Sequence, residues 1–191
     1  MGLDQYAYKA RRQRDGEIVS TDGIIELVDG TKAVTIDVDG DGRWYGRKIN
    51  VIQNYMEKTA DVGNCECVYI TEAMLSELED ALDTVDKAVA NDPDIHTLIS
   101  KHMTIPDEGL THYDGERLFD FEFSEDDAEL LGEFMDRIMP SALEPVGGFF
   151  YGPFDTDSGY YLYQLTEVRN FVNTVRPWLT DDTFAIYTCW Y

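Results

Sequence analysis

Residues 24–37 read IIELVDGTKAVTID, two apolar runs set around Asp29-Gly30. Asp and Gly tolerate the positive φ of a type I′ turn, so the stretch predicts a β-hairpin with strands near 23–28 and 32–37. A further strand is expected near residues 3–9. After Gly46, Ile49, Ile52, Tyr55 and Met56 recur at helical spacing to about residue 58. CECVYI (65–70) reads as a strand, and Thr71 then caps a helix with the stripe Met74, Leu75, Leu78, Leu82, Val85 and Val89, ending by Asn91 before Pro93. A short helix is expected over Ile95 to His102, and LFDFEF (118–123) alternates as a strand. Ser124, followed by acids, starts a helix that turns Leu130, Leu131, Phe134, Met135 and Ile138 inward and stops at Pro140. GGFFYGPFDTDSG (147–159) is a loop, 160–175 a helix and FAIYTCW (184–190) a final strand. Strands and helices mix without βαβ alternation, which predicts an α+β fold, a mostly antiparallel sheet packed with three to four helices, as one domain over 1–191.

Charge narrows the class of partner. The chain of 191 residues carries 38 Asp and Glu against 15 Lys and Arg, a formal charge of -23. Residues 1–60 hold ten acids and nine bases and are nearly neutral, so almost all the excess lies in residues 61–191. Such a field repels nucleic acid and anionic membrane and attracts basic protein surfaces or cationic ligands. No apolar run approaches the roughly 20 residues that span a bilayer, and the first residues lack a signal pattern, so a cytosolic location is expected. Three cysteines, Cys65, Cys67 and Cys189, are too few for a disulfide scaffold. In a strand Cys65 and Cys67 would share a face about 6.5 to 7 Å apart, at the limit for bridging. No second pair stands at zinc spacing, and reduced thiols are expected.

Several groups of residues have the composition of sites. In DVDGDGRWYGRK (37–48), Asp37, Asp39, Asp41 and Gly42 match the first half of a calcium loop, but Lys48 stands where the closing Glu should be. The stretch is therefore a solvated turn or at most a weak calcium site. GRKINVIQNYMEK (46–58), read as a helix, sets Arg47, Lys48, Asn50, Gln53 and Asn54 beside its apolar face, with Trp44 and Tyr45 just before it. Cations and amides next to aromatics suit a phosphate and a flat ring. The alternative is that the bases offset neighbouring acids and the amides face water. His96, His102 and His112 lie near Asp107, Glu108 and Asp114, but 96 and 102 are six apart, where a helical ligand pair needs three or four. No G-x-S-x-G, H-E-x-x-H or Walker loop is present, and no residue is nominated as catalytic.

Two rows of acids are the other lead. Glu72, Glu79, Asp83 and Asp86 fall on one outer face of the helix after Thr71, and Glu125, Glu129 and Glu133 on one face of the helix after Ser124. Acids at i and i+4 are about 6 Å apart along a helix axis, comparable with the roughly 7 Å between phosphates of one DNA strand. The rows could imitate a phosphate track, or serve solubility in a salt-adapted or high-GC host.

MGLDQYAYK (1–9), GRKINVIQNYMEK (46–58), CECVYITEAMLSELEDAL (65–82) and GGFFYGPFDTDSGYYLYQL (147–165) together resemble successive signatures of a family of small tailed-phage and prophage proteins. The family's start is close to MGLDMYLY, its helix to WRKANAIHNWF, and its C-terminal segment to GFFFG. Gly46 replaces the family's usual Trp and Gln53 its usual His, which tells against histidine catalysis here. The resemblance implies phage origin and brings no activity with it. The resulting expectation is an accessory protein of the host cytoplasm, without cofactor, that binds a host protein's basic surface, as a nucleic-acid-like charge mimic or anti-defence factor. It would contact neither nucleic acid nor membrane directly. The competing expectations are a phosphate or nucleotide binder, or enzyme, using the Arg47, Lys48 and Asn50 face with Phe149, Phe150 and Tyr151, and a virion or assembly component.

Overall fold

A computed structural model describes residues 2–15, 17, 24–100, 123–149, 151 and 155–191. The strands are β1 (Asp4–Arg12), β2 (Ile24–Glu26), β3 (Lys32–Thr35), β4 (Arg43–Arg47), β5 (Cys67–Ile70) and β6 (Phe184–Trp190). The α-helices are α1 (Asn50–Ala60), α2 (Glu72–Asn91), α3 (Pro93–Ser100), α4 (Glu125–Ile138) and α5 (Gly159–Val175). This is the expected α+β fold, with five helices among the described residues where three to four were expected. Every strand pairing is antiparallel, in the order β2-β3-β1-β6-β5, with β4 alongside the first half of β1. The strand expected at 118–123 lies outside the described residues but for Phe123, which is in no element, and the reading of His102, His112, Asp107, Glu108 and Asp114 lies outside them altogether.

The 24–37 hairpin forms, with a different turn. Gly30 has φ of 79° but Asp29 stays on the negative side, and Gly30 N–H donates to Leu27 O at 2.8 Å. Leu27 N–H donates to Thr31 O at 2.9 Å, and the Asp29 carboxylate accepts from Thr31 N–H at 2.8 Å. That is a type I turn followed by a left-handed glycine, the three-residue hairpin loop, and not the expected type I′ turn. The Asp29 side chain supplies the reason, because its bond to the backbone two residues on holds the right-handed turn geometry.

Period two explains which sheet face is covered. Leu3, Gln5 and Ala7 point to the helices, as do Trp44 from β4, Val68 and Ile70 from β5, and Ala185, Tyr187 and Cys189 from β6. Against them pack Ile52 and Met56 of α1, Leu75, Leu78, Leu82, Val85 and Val89 of α2, and Leu162, Leu165, Val168, Phe171 and Val172 of α5. Burying one such aliphatic side chain contributes about 1.5–3 kcal/mol, so this layer dominates stability. The far face is only partly covered. Leu27 packs there with Ala10, Ala33 and Ile186, and Val28 N–H reaches Cys67 O at 3.1 Å, so the hairpin curls across one end of the sheet.

Three local readings are corrected. Lys48 has φ of 57°, so Arg47 ends a strand, Lys48 turns, and the helix begins only at Asn50. Cys65, at φ of 63°, sits exposed in a turn before β5 and does not share a strand face with Cys67. Leu130 is turned outward on α4 while Leu131, Phe134 and Met135 are buried. The three cysteines are free thiols.

Replacing Gly30 with Ala forces a Cβ into the left-handed region, and urea unfolding should show a loss of about 1 kcal/mol with the m-value unchanged.

Candidate functional site

The start of α1 is held by two buried amides and a tyrosine hydroxyl. Gln5 Oε1 accepts from Ile49 N–H at 2.8 Å while its Nε2 donates to Ile49 O at 3.0 Å and to the Tyr187 hydroxyl oxygen at 2.9 Å. Val51 N–H, an unpaired donor of the helix's first turn, is taken by Gln164 Oε1 at 3.0 Å. Tyr160 donates to Lys48 O at 2.6 Å, and its own hydroxyl pKa is pushed up to about 12 by burial.

Asn50 and Gln53, expected beside the apolar face of a contact surface, are both fully buried, and Asn54 is nearly so. Tyr187 donates to Gln53 Oε1 at 2.7 Å, and Gln53 Nε2 donates to Glu57 Oε1 at 2.8 Å and faces Cys189 Sγ at 3.4 Å. Tyr151 closes the chain by donating to the same Glu57 oxygen at 3.1 Å, its ring set edge-on to Tyr191. Burial raises the Tyr187 hydroxyl far above its ordinary value and pushes the Cys189 thiol up to about 11. The network is a dipole chain of neutral donors running from the core to one half-buried carboxylate, suited to fixing α1 on the sheet. Trp44 is likewise interior, edge-on to Phe171 with centroids 4.9 Å apart, and its ring lies where a Cβ on residue 46 would stand. Of the expected binding group, Arg47 is exposed and Lys48 half-buried. Phe149 is exposed, Tyr151 is drawn in toward Glu57, and Phe150 lies outside the described residues.

The expected calcium ligands do not converge. Asp37, Asp39 and Asp41 are exposed in the loop between β3 and β4, where Asp37 is left-handed and its carbonyl accepts from Gly40 and Gly42 N–H at 3.0 Å. Gly42 is required there, since a Cβ would lie 1.9 Å from Ile36 O. Among the described residues no three His, Cys, Asp or Glu side chains are grouped to hold a metal.

The two acidic rows differ in environment. On α2, Arg176 reaches Glu72 at 3.0 Å and Glu79 at 2.9 Å, Arg169 pairs with Asp86, and Lys87 lies 3.9 Å from Asp83. Arg169 and Asp86 are mostly buried where α5 packs on α2, so this pair fastens two helices. On α4, Glu125, Glu129 and Glu133 are exposed and make no ion pair with the described residues. Asp136 continues their face and leads into a cleft of about 620 Å³ lined also by Gly132, Met139, Glu144, Pro145 and Asp155 to Asp157. Glu144 holds Lys58 at 2.7 Å, whereas Asp136, Asp155 and Asp157 have no ion-pair partner among the described residues. Sequence spacing showed the rows but not this division, because the pairing arginines lie some 90 residues further on in the chain. Asp155 and Asp157 could be found only once the loop before α5 was placed against Gly132 of α4.

Compared with family models, with curated proteins and with solved structures, the chain matches none. The fold therefore defines the class of protein, a one-domain α+β structure with one sheet face under helices. Among the described residues no helix is long and apolar enough to cross a membrane.

Two outcomes follow. Gln53→Leu strips Tyr187 and Glu57 of a buried partner and should cost about 1–3 kcal/mol in urea unfolding. In thiol labelling of the folded protein near pH 8, Cys65 should react first and Cys189 last, since at a pKa of about 11 only about one Cys189 in a thousand is thiolate and the side chain is buried. Equal rates for the two would contradict the arrangement.

Proposed function

We propose that the protein acts by binding, setting the outer row of α4 and the adjoining carboxylate cleft against a basic surface of a partner. The observation that carries this is the difference between the two rows. The row acids of α2, Glu72, Glu79, Asp83 and Asp86, are engaged by the chain's own arginines and lysine, while Glu125, Glu129, Glu133 and Asp136 are exposed and have no ion-pair partner among the described residues. Carboxylates one helical turn apart, leading to a cleft with three further acids, offer a line of acceptors and a recess for a Lys or Arg side chain. The resemblance to phage proteins makes the partner a host protein, and the phosphate-like spacing makes a surface that ordinarily meets nucleic acid the reading supported best, in an anti-defence or regulatory role.

The test is capture of partners from host lysate, with DNA as competitor, by the native protein and by two triple charge reversals. Glu125, Glu129 and Glu133 to Lys should abolish retention of a basic partner, which DNA should also displace. Asp80, Asp181 and Asp182 to Lys, an equal change of net charge on exposed positions elsewhere, should leave most retention intact. Equal loss in both variants would reduce the effect to bulk charge and remove the α4 surface as the site.

A further inference from the structure

Residues on the sheet face away from the helices can be placed by register. Tyr45 of β4 stands opposite Tyr6 of β1, which stands opposite Thr188 of β6; Arg47 is opposite Asp4, which is opposite Trp190; and Arg43 is opposite Tyr8. The rings of Tyr6 and Tyr45 are 5.2 Å apart and those of Tyr6 and Tyr8 5.8 Å apart at an interplanar angle of 6°. Trp190 is 66% exposed and Tyr45 46%. Among the described residues, the curled hairpin packs at the Tyr8 end of this face, while Tyr45 and Trp190 at the other end are exposed.

Among the described residues, the bases that form no ion pair lie before residue 50, and two of them, Arg43 and Arg47, are on this face. Among the described residues every base beyond residue 50, namely Lys58, Lys87, Arg137, Arg169 and Arg176, is in an ion pair, whereas of the earlier ones only Arg11 is. Arg43 and Arg47 thus flank Tyr45 at about 7 Å on either side along the strand, on the aromatic face. Asp4 is the acid within the patch. It accepts the Tyr45 hydroxyl at 2.7 Å through Oδ1, which fixes that ring.

We infer that this open face binds a free nucleotide. Its base lies on Tyr6, Tyr45 and Trp190, its phosphate pairs with Arg47 or Arg43, and Asp4 accepts from an exocyclic amine of the base. Sequence-tolerant ring stacking and a planar cation for the phosphate are the two elements such a ligand needs, and the carboxylate between them favours an amine-bearing base. The occupant is a single nucleotide because the chain's charge of -23 opposes an extended polyanion and only two arginines border the rings. The patch lies on the opposite side of the sheet from the helices, so this inference does not rest on the acidic surface of α4.

Trp190 reports the site directly, since Trp44 and Trp178 are buried. Titration with adenosine or guanosine monophosphate should quench its fluorescence saturably, uridine monophosphate should bind more weakly, and inorganic phosphate should give no quenching. Trp190→Phe should remove the signal. Tyr45→Ala and Arg47→Ala, both at exposed positions with folding checked by circular dichroism, should each weaken binding roughly five- to a hundredfold. Absence of saturable quenching, or an affinity unchanged in Arg47→Ala, would overturn the inference. So would tighter binding of a thymidine oligonucleotide than of either monophosphate, which would make a strand the occupant. Quenching that follows protein concentration without ligand would make it a second copy of the chain, with the same consequence.

Discussion

Gln5 is the point on which the arrangement turns. Its carboxamide pairs with both backbone groups of Ile49 as another strand would, and donates in addition to Tyr187. One fully buried side chain of the central strand thereby fixes the chain just before α1, the register of β6 and the position of the Gln53 chain behind them. Because α1 starts two residues after a left-handed Lys48 and has no side-chain cap of its own, its first turn depends on borrowed partners, Gln5 for Ile49 and Gln164 for Val51. A buried network of this kind adds little net energy when complete and costs heavily when one member is missing, so it determines which packing forms more than how stable it is.

This constraint also separates the two faces of the sheet. Alternation along β1 sends Leu3, Gln5 and Ala7 into the helices and Asp4, Tyr6 and Tyr8 outward. The helical side carries the two acidic rows and consumes the described C-terminal bases in ion pairs, while Arg43 and Arg47 on the sheet side are in no ion pair with the described residues. A net charge of -23 therefore describes neither surface well. Short-range contacts within about 8 Å at physiological salt feel the local groups, so two faces of one acidic protein can present different chemistry.

Much of the fold was legible because strongly periodic segments with clear caps do not depend on distant residues. Thr71 and Ser124 cap α2 and α4 through bonds to Met74 and Asp127 N–H, and α2 and β6 occupy the residues their patterns marked. β4 was missed because Gly46 and the preceding Asp/Gly loop read as a turn, and only pairing with β1 makes RWYGR a strand. The site was less legible for the same reason in reverse. Asn50 and Gln53 are polar and lie next to apolar positions, which from sequence marks a contact surface; in the fold they are the interior partners of Gln5 and Tyr187.

What the sequence determined alone were the quantities carried by neighbours in the chain: the charge and its unequal halves, the hairpin at Asp29-Gly30, the capped helices and the two rows of acids. What only the tertiary structure decided was which of these groups meet. Arg169 and Arg176 reach Glu72, Glu79 and Asp86 of α2 while no described base pairs with Glu125, Glu129 or Glu133, Asp155 and Asp157 join Asp136 at one cleft, and Tyr45, Tyr6 and Trp190 share one sheet face from strands nearly 150 residues apart in sequence. Periodicity tells a side chain which way to face along its own element, but an ion pair or a ring contact needs two elements at one distance, and that distance is set by the packing of the core between them.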